Sequence, residues 1–151
     1  MALKEQIQND MKAALLSGSR FEGDVLRNLK AAILNEEVAK GKRDEGLGDD
    51  EIEQVIAREV KKRRESIALY EQNGRGELAD GEKKELEVLE QYLPKQLSED
   101  EVRVLVDEAI ATVGADGPQM MGQVIGAVKA KAGNTADGSI VARIVKEQLG
   151  V

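Results

Sequence analysis

Apolar residues recur every three or four positions along almost the whole chain, and no stretch alternates at period two for long enough to build a sheet. Leu3, Ile7, Met11 and Leu15 form the first such stripe, ended by Ser17-Gly18-Ser19. A second helix is expected from Glu22 to Lys40, with Val25, Leu26, Leu29, Ala32 and Ile33 on one face. The glycine-punctuated, charged segment from Gly41 to Gly48 reads as a loop. Asp49 or Asp50 is placed to cap a long third helix, which runs to about Asn73 and stops at Gly74. A fourth helix is expected from Asp80 to Leu93, where Pro94 breaks the pattern.

Beyond Pro94 the signals sharpen. Ser98 followed by Glu101 has the spacing of a capping box, in which the two side chains satisfy each other's backbone N–H groups. The helix it opens carries Val102, Leu105, Val106, Ala109, Ile110 and Val113. Pro118 suits the first position of a sixth helix, Gln119 to Lys131, and Asp137 suits the N-cap of a seventh ending near Leu149. The expected fold is therefore all-α: a helical domain of about four helices over 1–93, a linker at 94–97, and a small three-helix bundle over 98–151.

Composition narrows the chemistry. The chain has neither cysteine nor histidine, which removes thiol nucleophiles, thiolate zinc sites and imidazole acid–base catalysis. No phosphate-binding glycine loop, dinucleotide fingerprint or calcium loop is present, so neither cofactor nor metal is expected. The net charge of −7 repels phosphate backbones, and only Phe21, Tyr70 and Tyr92 could stack on bases. RNA binding would need a local basic patch. The apolar runs are far shorter than a bilayer span and the N-terminus lacks a secretory signal, so a cytoplasmic location without membrane contact is expected.

Two basic groups are candidates. Lys129 and Lys131 end the sixth helix, and Arg143 and Lys146 share a face of the seventh; if these pairs converge they make a compact phosphate-reading patch. A weaker patch is Lys61, Lys62 and Arg64, whose alternative reading is a solvated helix face paired internally with Glu59 and Glu65. Helical arithmetic turns Arg63, Glu82 and Glu36 toward one core. That arrangement reads as a structural ion pair, Arg63 forked onto Glu82 or Glu36; the catalytic alternative is a carboxylate acting as acid or base.

Several stretches resemble the GatB/YqeY family, specifically its stand-alone YqeY-like members. They are Arg27-Asn28-Leu29-Lys30-Ala31-Ala32-Ile33 with Asn35-Glu36, then Arg63-Arg64-Glu65-Ser66 with Tyr70 and Gly74-Arg75. Leu78-Ala79, Glu82, Glu85, Tyr92-Leu93-Pro94 and Leu97-Ser98 follow in order. Met121-Gly122-Gln123-Val124-Ile125-Gly126, Lys129, Lys131, Gly133 and Ala136-Asp137-Gly138 complete it. The resemblance implies an all-α protein whose C-terminal bundle is related to the GatB tail domain of the glutamyl-tRNA(Gln)/aspartyl-tRNA(Asn) amidotransferase, an accessory that helps hold tRNA. It implies partners of two kinds, tRNA itself or an amidotransferase or aminoacyl-tRNA-handling protein, with contacts at Lys129, Lys131 and the turn before Asp137. A carbon–nitrogen ligase label, with glutamine as amido donor, is inherited from the larger enzyme, whose phosphorylating and ammonia-releasing domains have no counterpart here. Where the family often has a basic residue before Ala-Asp-Gly, this chain has Thr135. Gly122 and Gly126 read as close-packing positions. The competing reading is an acidic protein–protein adaptor without RNA contact.

Overall fold

The computed structural model describes residues 2–150 and is all-α, with no strand among them. Seven helices follow one another: α1 Leu3–Leu16, α2 Arg20–Ala39, α3 Asp49–Gln72, α4 Gly76–Glu90, α5 Glu99–Val113, α6 Met121–Ala132 and α7 Gly138–Leu149. Short 3-10 turns at Pro118–Met120 and Gly133–Thr135 flank α6. The chain divides into two compact units, Met1–Leu93 and Pro94–Val151.

In the first unit α1 packs on α2 and α3 on α4, with α2 touching both α3 and α4. The stripes meet in one core around Ile7, Leu26, Leu29, Ile52, Ile56 and Leu89, all almost fully buried. Tyr92 closes its edge, its hydroxyl donating to Asp10 at 2.7 Å. Burial and the Asp10 carboxylate together push that hydroxyl well above its ordinary pKa. Helix α2 begins two residues before the expected start, at Arg20. Helix α4 begins four residues early, at Gly76 rather than Asp80. The Arg75 carbonyl accepts from the Leu78 and Ala79 N–H groups at 3.1 and 3.2 Å, and Ala79 is buried, so packing recruits the extra turn. Gly74, at φ +71°, makes the reversal between α3 and α4 that a Cβ would strain. The cap of α3 is also different: Gly48 is the N-cap, and Asp49, inside the helix, accepts from the Leu3 N–H at 2.9 Å. That bond ties the start of α1 to the start of α3.

The second unit is built around Val102, Val106, Val124, Val128, Val141, Ile144 and Val145. Ser98 Oγ accepts from the Glu101 N–H while the Glu101 carboxylate accepts from the Ser98 N–H, each at 3.1 Å. This holds the Glu101 carboxyl below the usual range. Asp137 accepts from the Ser139 and Ile140 N–H groups at 2.8 and 3.2 Å, capping α7. Residues expected as a linker are tied down: Leu97 N–H donates to the Thr135 carbonyl at 2.8 Å, and the Gln96 amide reaches the Asn134 carbonyl at 2.9 Å.

Gly122 and Gly126 do not pack closely. Both are exposed on α6, and a Cβ at either would meet nothing within 4 Å. Gly126→Ala, in the helix interior, is therefore expected to stabilise the protein by about 0.5–1 kcal/mol, read as a higher denaturant midpoint.

Candidate functional site

The four cations of the second unit are set by the last turn of α6 and by one face of α7, and all four are exposed. A compact patch with few acids nearby is not what the fold builds from them. The Lys131 ammonium lies 3.0 Å from the Glu108 carboxylate of α5. Arg143 is held by Glu99 of α5 and, at 3.0 Å, by Glu147 of its own helix. Glu99 and Glu108 are nine residues apart on α5, a rise of about 13 Å, so Lys131 and Arg143 sit at separate places along it. Lys129 and Lys146 make no ion pair among the described residues. Each of the pairs is half exposed, so it stabilises by only about 0–1 kcal/mol. Its effect is on the surface field: acids of α5 cancel half of the intended patch. Lys131 also lines a shallow groove of about 420 Å³ between α5 and α6, together with Leu97, Val104 and Leu105.

The basic run on α3 disperses. Lys61 points to solvent, Lys62 pairs with Glu59 at 3.1 Å, and Arg64 reaches Glu90 of α4 at 2.6 Å. Arg63 turns furthest inward, its side chain 15 % exposed.

Its partners, however, are neither Glu82 nor Glu36. Arg63 Nη1 donates to the Glu59 carbonyl at 3.1 Å and lies 3.8 Å from the Glu59 carboxylate, while Nε sits 3.5 Å from Glu85. Glu36 instead pairs with Arg58 at 3.1 Å and Lys40 at 3.6 Å. The Arg64–Glu90 and Lys83–Glu71 pairs show why: α3 and α4 run antiparallel, so Glu85 lies a turn nearer to Arg63 than Glu82 does. Helical angle gives a face, whereas partner choice depends on axial register.

Glu82 is left beside Glu85. Burial, then the Glu85 charge, push its carboxyl above the usual range, and the pull of Arg63 only partly opposes this. The native state thus binds this proton more tightly than the unfolded chain, so the site loses stability as pH rises through the interval above the ordinary carboxylate value. Glu82→Gln is expected to be more stable than the parent near neutral pH, by less than about 1 kcal/mol, with the gain vanishing in acid. Urea midpoints across a pH series check this.

The acid that is fully buried in the first unit is Glu37, not Glu36: its side chain is 2 % exposed. It accepts from Lys4 Nζ at 2.7 Å and from the Leu47 N–H at 3.2 Å, and Gly46 leaves it room by adopting φ +78°. Glu37 lies four residues beyond Ile33 and eight beyond Leu29, so the same stripe arithmetic could have found it. Among the described residues, no group of three or more carboxylates is arranged to hold a metal ion, and no helix is long and apolar enough to cross a membrane.

Against known proteins, the model of the family described as "Yqey-like protein" matches residues 4–149. Three relatives carry the name "Altered inheritance of mitochondria protein 41, mitochondrial". The one from Clavispora lusitaniae is 27% identical over 143 residues, 95% of this chain and 74% of the relative. Those from Eremothecium gossypii and Kluyveromyces lactis are 30% and 28% identical, over 58% and 57% of this chain and 46% and 45% of the relatives. The matched region thus spans three quarters of one relative and just under half of the other two. With practically the whole helical sequence matched, the chain belongs to the YqeY-like protein family.

Proposed function

We propose that this chain is a non-catalytic helical docking module that serves tRNA-dependent amidation by holding a protein, an amidotransferase or another aminoacyl-tRNA-handling protein. The amidation context rests on the sequence resemblance of the C-terminal unit to the amidotransferase tail. The choice of protein over RNA rests on one observation: Lys131 and Arg143 are matched by Glu108, Glu99 and Glu147 on a chain of net charge −7. A phosphate backbone approaching this surface must first displace those acids. Any carbon–nitrogen ligase activity belongs, in this reading, to the partner, which supplies the phosphorylating and ammonia-releasing chemistry. The site of action is the cytoplasm, where a chain without cysteine forgoes nothing.

A second reading, direct tRNA contact, is favoured by Lys129 and Lys146, which have no acidic partner among the described residues, and by the exposed Gly122–Gly126 face beside Lys129. A salt series with purified tRNA separates the two. Protein docking expects affinity no better than the non-specific range, roughly 10⁻⁴–10⁻⁶ M, unaltered by Lys129→Glu with Lys146→Glu. It also expects a partner from that machinery to stay bound after nuclease treatment at high salt. Tighter tRNA binding whose salt slope flattens in the double variant would establish the RNA reading instead.

A further inference from the structure

An open groove of about 420 Å³ runs between α1 and α2. Ile7 and Ile33 form its floor, and Met11, Ala31 and Leu34 its walls. Leu34 is 44 % exposed, and Val38, one turn further along α2, is 58 % exposed. Helix α2 therefore carries a second apolar stripe, Ala31, Leu34 and Val38, on the side away from its buried one. The patch is small, and what singles it out is the charge around it.

Its rim has the opposite sign to the rest of the molecule. Lys4, Arg27 and Lys30 border the groove, and the one carboxylate among its lining residues, Glu37, is buried and taken by Lys4 and the Leu47 N–H. Lys30 makes no ion pair among the described residues, and Arg27 has only the exposed Asp24 at 3.5 Å. A second copy of this chain is a poor occupant. A two-fold contact would lay Arg27 and Lys30 against the same residues of the other molecule. A groove between two helices, apolar below and cationic at its edges, suits a third helix with apolar residues three and four apart and acids along its flanks.

We propose that the α1/α2 groove binds an amphipathic helix of a partner protein whose apolar face is bordered by aspartate or glutamate. The proposal rests on the reading of the chain as a protein-docking module and gives that module a place and a partner chemistry.

The test titrates the isotope-labelled full chain with two synthetic helical peptides of about 18 residues, five turns. Both carry the same leucine stripe; one has glutamate flanks and the other lysine flanks. Amide shifts are expected along α1 and α2 at the groove, with the glutamate peptide binding at least about tenfold more tightly. Arg27→Glu with Lys30→Glu should reverse that preference. Leu34→Asp should weaken the glutamate peptide about tenfold while the melting curve stays native. Equal binding of the two peptides, or shifts centred elsewhere, would overturn the proposal. So would concentration-dependent shifts at the groove without peptide, which mean a second copy, or oleate producing the same shifts more readily than the peptide. No RNA enters this titration. A silent groove beside absent tRNA binding removes this site and leaves protein docking standing; tight tRNA binding removes the docking reading whatever the peptides do.

Discussion

Glu37→Ala is expected to cost the first unit about 2–3 kcal/mol, a large share of the stability of a domain this size. The carboxylate is 2 % exposed and serves two donors from distant parts of the chain, Lys4 of α1 and the Leu47 N–H at the end of the loop after α2. Removing it leaves the Leu47 amide buried without an acceptor, which costs more than the bond itself contributed. Lys4, 45 % exposed, can turn back to water, so its loss of a partner adds little. Glu37→Gln keeps an acceptor and most of the volume and should cost about 1 kcal/mol. Lys4→Met strands a buried anion. Combined with Glu37→Gln, it should fall short of the sum of the two single changes. Hydrogen exchange gives the local signature: the Leu47 amide should lose protection in Glu37→Ala and keep much of it in Glu37→Gln.

The helices are legible in this sequence wherever the signal is local. The Ser98–Glu101 box and the Asp137 cap need only neighbours within one turn. Long stripes such as Ile52, Val55, Ile56 and Val60 name their own buried face. The start of α4 is not legible, since Gly74-Arg75-Gly76 looks like a break, and the turn it hides is held by burial of Ala79. Charged residues show the same boundary. The periodicity puts Arg63 inward but is silent on register, and register decides that Glu85 is its partner. Glu36 and Glu37 differ by one helical step of about 100°. Which of them is buried is settled by Lys4 and the Gly46–Leu47 turn, far away in sequence. Half of the expected cation patch is neutralised for a related reason: Glu108 and Glu99, which oppose Lys131 and Arg143, come from α5, which no pattern within α6 or α7 reports.

Arg63→Met should destabilise the protein near neutral pH by about 2–4 kcal/mol, through charge rather than volume. The Arg63 guanidinium sits among Glu59, Glu82 and Glu85: it donates to the Glu59 carbonyl, lies within 4 Å of the Glu59 and Glu85 carboxylates, and opposes the upward shift of Glu82, whereas Glu59 also has Lys62 at 3.1 Å. Methionine fills similar space but leaves Glu82 and Glu85 repelling each other in a half-buried pocket. The Glu82 proton, already favoured by burial and by the Glu85 charge, is then held still more tightly in the native state than in the unfolded chain. The deficit should accordingly grow as pH rises through the carboxylate range and shrink as it falls. A simple packing defect would show no such pH dependence. Arg63→Lys keeps the charge but not the planar fork that reaches both Glu59 and Glu85, so it should recover only part of the loss. Neutralising the acids instead, with Glu82→Gln and Glu85→Gln in the Arg63→Met background, should restore most of it. If Arg63→Met is equally destabilising with and without those glutamines, the side chain acts by filling space and the electrostatic account of the α3/α4 hairpin fails.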